Sequence, residues 1–182
     1  MKYCDVDGVV ADWQGRLLEI YGLERDMDVR EFLKKGGTLE ERFGDIREAV
    51  ESVGAEFWSG IKVFSWGGEL YSRISREGNF CFLTSCGNHS KRPFYAAGGA
   101  YGKLIWLSKN FNGASVSICR DKHVHAHQRA VLIDDSRSNV DKFVKHGGRG
   151  FLFPHPYLIE DGDVDMSDVY SEIEYLCLLK GN

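Results

Sequence analysis

The chain has 182 residues, of which 43% are hydrophobic and 27% charged, enough for one sizeable core and a small insertion. A formal net charge of −4 excludes a global field that would draw nucleic acid or an anionic membrane, so a small anionic ligand has to be gathered by local cations or metal. Cys4, Cys81, Cys86, Cys119 and Cys177 are odd in number, scattered and without a C-x-x-C pair; they read as thiols of a reducing compartment, which points to the cytoplasm. Acidic residues at 5 and 7 interrupt any signal-peptide core, and no apolar stretch is long enough to span a bilayer.

In chain order, residues 2–8 predict a short strand running into a turn at Gly8. Residues 13–56 carry apolar stripes at helical spacing (Leu17, Leu18, Tyr21; Phe32, Leu33; Leu39, Phe43, Ile46, Val50) and no strand signal. Two to four short helices are expected there, broken at Gly36-Gly37. The pattern then alternates. A helix over 66–76 is stopped by Gly78, a buried strand follows over 79–84, and a helix over 103–111 leads to a strand over 114–119. A buried strand over 130–134, a helix over 138–146, a strand over 150–153 and a helix over 166–179 complete the chain. Strands alternating with helices imply an α/β fold: a Rossmann-like three-layer α/β/α core around a mainly parallel five-stranded sheet.

Ligands of open α/β sheets bind beyond the carboxyl ends of the strands. Here those ends carry Asp5 and Asp7, Thr84 and Ser85, and Asp134 and Asp135, while Arg120-Asp121-Lys122 lies between the third and fourth strands. Any one of these is a plausible turn former. Gathering all the acids at one edge is costly unless a cation neutralises them, and an oxygen-only donor set suits Mg²⁺.

These residues carry a resemblance. Asp5-Val6-Asp7-Gly8-Val9 resembles the first motif (DxDG[TV]) of the haloacid dehalogenase (HAD) superfamily, Leu83-Thr84-Ser85 the second, Lys122 the third, and Ile133-Asp134-Asp135 the fourth. Longer matches over 5–12, 120–122 and 132–135, and over 103–111, are similar to the 5′(3′)-deoxyribonucleotidase family. The resemblance implies a catalytic core of residues 1–12 and 59–182, with a small helical cap inserted at 13–58. It also implies hydrolysis of nucleoside monophosphates with Mg²⁺ as cofactor. Asp5 would be the nucleophile and Asp7 the general acid and base. The metal would be held by Asp5, the Asp7 backbone carbonyl and Asp135, with Asp134 behind. Thr84, Ser85 and Lys122 would hold the phosphate, with Lys103 and Arg120 adding charge. Lys103 and Arg120 read equally well as solvated surface cations. Trp13 and Phe32 are candidates to contact the rest of the substrate, followed by Phe57 and Trp58, though burial in the core is the commoner fate of large aromatics.

The competing readings are a HAD phosphatase for a polynucleotide 3′-phosphate or a sugar phosphate, and a catalytically silent HAD-like binding protein. The acidic balance disfavours nucleic acid as a partner, and the intact acids disfavour a silent protein. Three further signals are set aside. His123, His125 and His127 alternate without a completing ligand nearby except Asp121, and read as an exposed loop edge. Gly98-Gly99 and Gly102 lack the P-loop pattern and read as a flexible loop near the site. Pro154-His155-Pro156 reads as a turn.

Overall fold

The structure is a computed structural model, and it describes residues 1–24, 26–76, 78–86 and 93–179. Five strands form one fully parallel sheet: β1 (Lys2–Cys4), β2 (Phe80–Thr84), β3 (Val116–Ile118), β4 (Val131–Asp134) and β5 (Arg149–Leu152), in the order β3-β2-β1-β4-β5. The register sets Tyr3 beside Cys81 on one side and Leu132 on the other. Because side chains alternate across a strand, the sheet feeds two apolar layers. Cys4, Phe82 and Ile133 join the larger cluster, with Leu70, Trp106 and Ile173 from flanking helices. Tyr3, Cys81, Leu83 and Leu132 pack on the other face against Phe143. Both faces are covered, which is why β2 and β4, buried along their whole length, read as apolar runs. The strand order reverses between β1 and β4, the switch point where a crevice opens in such sheets. No helix among the described residues is long and apolar enough to cross a membrane.

After β1 come five short helices: α1 (Trp13–Tyr21), α2 (Met27–Lys34), α3 (Leu39–Phe43), α4 (Arg47–Val53) and α5 (Ala55–Ser59). Two to four were expected. Gly44 and Gly54, both at positive φ, stop α3 and α4 after a turn or two, and this raises the number. The starts are locally encoded. Asp12 and Asp26 accept backbone N–H groups at the heads of α1 and α2, and Thr38 with Glu41 forms a reciprocal capping box on α3. The segment shares the large apolar cluster with the rest of the chain through Leu17, Leu33, Leu39 and Phe57. The remaining helices are α6 (Gly67–Ser75), α7 (Pro93–Asn110), α8 (Arg137–Lys145), α9 (Pro156–Glu160) and α10 (Met166–Leu178). Arg30 and Lys34 of α2 pair with Asp161 at 2.6 and 3.0 Å, tying the inserted helices to the end of α9. The expected turn at 154–156 is instead the head of α9, with Pro156 in its first turn.

A second correction concerns Gly98, Gly99 and Gly102, expected in a loop. They lie within α7. A Cβ on Gly102 would sit 2.4 Å from the Ala55 carbonyl oxygen and 2.6 Å from Cβ of Trp58. These glycines let α5 press directly onto α7, and glycine's poor helix propensity is accepted for that approach.

Gly102→Ala should therefore lower stability by about 1–3 kcal/mol, because the obstructing atom is backbone. Gly68→Ala, in α6 with nothing within 4 Å of its new Cβ, should instead be neutral or stabilise by up to about 1 kcal/mol. Urea denaturation of the two variants checks the opposite signs.

Candidate functional site

Two acids leave the sheet at its switch point. Asp5 directly follows β1; its Oδ1 accepts the Val6 N–H at 2.7 Å and its Oδ2 lies 2.7 Å from Nζ of Lys122. Asp134 ends β4 and is fully buried. Its Oδ2 also receives Lys122 at 2.7 Å, and its Oδ1 accepts the Ser136 N–H at 2.9 Å. Nδ2 of Asn139 adds bonds to both oxygens, at 3.0 and 3.2 Å. Lys122 opens a 3-10 turn, Lys122–His125, and is 3% exposed. Burial alone would lower its pKa, but the charges of Asp5 and Asp134 outweigh that and hold it above the usual lysine range.

Asp7 has a different partner. Its Oδ2 is bonded by Nζ of Lys103, which reaches in from α7. The same ammonium donates to Thr84 Oγ1 at 3.0 Å and to the Ser85 carbonyl at 2.6 Å, and it lies 4.5 Å from the centre of the Trp58 ring. Oδ1 of Asp7 is buried without a hydrogen-bond partner among the described residues. Burial foremost, then the charge of Asp5, raises the Asp7 pKa, with Lys103 opposing.

Asp135 completes the group. One oxygen each from Asp5, Asp134 and Asp135 can be chosen so that all lie within 4.8 Å of one another. Gly8, at φ +73°, turns the chain so closely past Asp135 that a Cβ there would fall 1.9 Å from its Oδ2. Burial, followed by the charges of Asp5 and Asp134, pushes the Asp135 carboxyl well above the usual carboxylate range. Among the described residues, four carboxyl groups, Asp5, Asp7, Asp134 and Asp135, meet two ammonium groups, Lys103 and Lys122, so hard oxygen donors are gathered with a deficit of positive charge. A divalent oxygen-seeking cation such as Mg²⁺ fits that deficit. Asp134 has its oxygens engaged by Lys122, Ser136 and Asn139, whereas Asp5 takes one contact at each oxygen, from Val6 and Lys122, and Asp7 Oδ1 has no partner among the described residues.

A cavity of about 370 Å³ opens over this edge. Its floor is Asp7, Ser85, Lys103, Asp135 and Ser136, and its walls are Trp13, Tyr95 and Trp58 with Ile46, just before α4, and Val50 of α4. Glu40 and Arg47 add polar groups from α3 and α4. Tyr95, whose hydroxyl burial pushes up to about 12, is neutral there. A smaller cavity by Lys2, Arg73 and Glu174 lies at the amino end of β1, away from the acids.

Of the residues named from sequence, Asp5, Asp7, Thr84, Ser85, Lys103, Lys122, Asp134, Asp135 and Trp13 converge on this edge. Lys103 is 2% exposed rather than a solvated cation. Arg120 is exposed, paired with its neighbour Asp121 at 3.4 Å, and Phe32 packs over Gly37; neither lines the cavity. Phe57 is core, with no exposure. The three histidines diverge. His123 meets the His146 ring, His125 lies against Tyr3, and His127 accepts the Arg129 N–H. Glu40, Arg47, Tyr95 and Asn139 were not foreseen; only Asn139 left a trace, one helical turn beyond the paired acids.

No protein-family model matches the chain, and no curated protein matches it. Among solved structures it is similar to a HAD family hydrolase from Deinococcus radiodurans R1, crystallised with bound phosphate and sodium. The identity is 14% and the TM-score 0.47, over 100% of this chain and 97% of the other. At that distance the likeness assigns no role to any residue.

Lys122→Met should destabilise the fold by about 3–5 kcal/mol at neutral pH, since it strands two buried carboxylates. Without the ammonium, protonation of buried Asp134, whose pKa burial already raises, is favoured still further. The folded state then binds protons more tightly, and the deficit should shrink as pH falls. Denaturation midpoints at pH 7 and pH 5 test this; an equal deficit at both would contradict the charge balance.

Proposed function

We propose that this chain is a Mg²⁺-assisted phosphomonoester hydrolase that works through an aspartyl phosphate on Asp5, with a nucleoside monophosphate as its leading substrate. The observation that carries the reading is the separation of two acids one residue apart onto two different buried lysines, Asp5 on Lys122 and Asp7 on Lys103.

Each half of that arrangement suits one half of the chemistry. Asp5, held by Lys122, attacks phosphorus in line and displaces the alkoxide. Asp7, its proton favoured by burial, donates to the departing oxygen, then takes a proton from the water that opens the acyl phosphate. The Thr84 hydroxyl, which accepts from Lys103, keeps its own proton for a phosphoryl oxygen, and Lys122 adds positive charge at the same edge. Asp5, Asp135 and the Asp7 backbone carbonyl are the groups that would hold the cation. When bound, Mg²⁺ supplies Lewis-acid stabilisation and cancels repulsion between the nucleophile and the phosphate.

The cavity supports an organic body rather than free phosphate. Its size falls in the range of ligand pockets, and its aromatic walls, Trp13, Trp58 and Tyr95, suit a planar base or sugar face. Helices α1 to α5 act in this reading as the cap that selects the substrate.

Phosphate release from ribo- and deoxyribonucleotides, sugar phosphates and a 3′-phosphorylated oligonucleotide should be greatest for a nucleoside monophosphate; preference for another class would overturn that part of the reading. Mg²⁺ at about 100 times its dissociation constant should add about 2.7 kcal/mol of stability, seen as a rise in Tm that a chelator reverses. Asp7→Asn should reduce turnover of an alkyl phosphate by about 10²–10⁴-fold. Asp5→Asn should yield no phosphoenzyme from an aryl phosphate, and an adduct on that variant would refute the nucleophile assignment.

A further inference from the structure

The ammonium of Lys103 has three protons, and three acceptors surround it: Asp7, Thr84 Oγ1 and the Ser85 carbonyl. No donor is left over for a phosphate oxygen. Lys103 is therefore built as a clamp that joins the loop after β1 to the end of β2, and what remains of its surface is covered by Trp58, whose ring centre lies 4.5 Å from Nζ. Trp58 is 6% exposed and comes from α5, in the inserted helices. Its approach depends on Gly99 and Gly102. A Cβ on Gly99 would sit 3.4 Å from the indole nitrogen, and one on Gly102 would collide with Cβ of Trp58. Two features that have no bearing on each other in the sequence, a tryptophan in one helix and a glycine pair in another, thus meet on one lysine.

We propose that Trp58 is a positioning residue for the acid–base group: its indole face seats the Lys103 ammonium, which fixes the Asp7 carboxylate at the leaving-group side of the pocket. A cation loses its hydration when it is buried, and a desolvated ammonium gains most from an aromatic face. With that face removed, Lys103 can take a water or tilt away from Asp7, and the carboxylate loses its fixed orientation. The inserted helices then contribute to proton transfer as well as to substrate choice. The role of Asp7 rests on the hydrolase reading, whereas the clamp on Lys103 can be observed without it.

The experiment compares Trp58→Leu and Trp58→Met, which fill space without a π-face, with Trp58→Phe, which keeps one. With an alkyl phosphate, which depends on protonation of its leaving group, kcat should fall about tenfold in the first two, with KM within about twofold. With an aryl phosphate, which needs little protonation, formation of the phosphoenzyme should be far less affected. Trp58→Phe should recover most of the lost turnover. Equal losses for both esters, a loss confined to KM, or a Trp58→Phe variant as impaired as Trp58→Leu would overturn the proposal. The readout that does not require activity is the ¹⁵N–¹H signal of the Lys103 ammonium, identified by its absence in Lys103→Arg. It should be slowly exchanging in the parent and lost in Trp58→Leu, while the Lys122 signal persists; a Lys103 signal unchanged in Trp58→Leu would refute the clamp. Should the parent hydrolyse no phosphate ester, the hydrolase reading fails while the ammonium signal still tests the clamp.

Discussion

Four carboxylates at one edge of a parallel sheet repel one another, and burial removes the water that would otherwise screen them. Everything about this edge follows from how that repulsion is offset. Lys122 stands between Asp5 and Asp134, and Lys103 is bonded to Asp7. Each lysine is almost wholly buried, a state an ammonium tolerates only when fully paired. Neither pair could be kept without the other elements. The 3-10 turn brings Lys122 beneath the strand ends, Asn139 and Ser136 hold Asp134 still, and α7 delivers Lys103 from the far side.

The same constraint accounts for the uneven treatment of the paired acids at the end of β4. Asp134 is saturated with donors and belongs to the scaffold. Asp135 keeps few favourable contacts, and its pKa is raised by burial first and then by the charges of Asp5 and Asp134. Among the described residues the ammonium groups at this edge are fewer than the carboxyl groups, and hard oxygen donors of this kind suit a divalent cation. Gly8 belongs to this economy of space, since any side chain there would occupy the room that Asp135 needs.

The helices after β1 serve the edge from above. The heads of α1, α2 and α3 are set by local capping, at Asp12, Asp26 and Thr38, whereas α4 and α5 have no side-chain cap. The segment's docking is not local. It depends on the glycines of α7, on the ion pairs from Arg30 and Lys34 to α9, and on an apolar cluster common to the inserted helices and the sheet. A glycine within a helix and one in a loop look alike in a sequence. What distinguishes Gly102 is the Ala55 carbonyl lying against it, a contact between residues 47 positions apart.

The amino-acid order by itself determined the layered parallel sheet, because fully buried strands must be apolar throughout and the helices between them must repeat at a helical period. It also marked Asp5, Asp7 and the Asp134-Asp135 pair, whose places at strand ends need no knowledge of packing, while Lys122 stood out only through the resemblance of its motif. It left Lys103 and Arg120 equal, since each read as well as a solvated surface cation as a contact to phosphate. Only the tertiary structure separated them, burying Lys103 against Asp7 and Trp58 and leaving Arg120 with Asp121 at the surface. The cavity walls, Glu40, Arg47 and Tyr95 among them, were likewise decided by docking. Residues of short amphipathic helices carry a periodicity that tells which face is buried, but not which neighbour that face will meet.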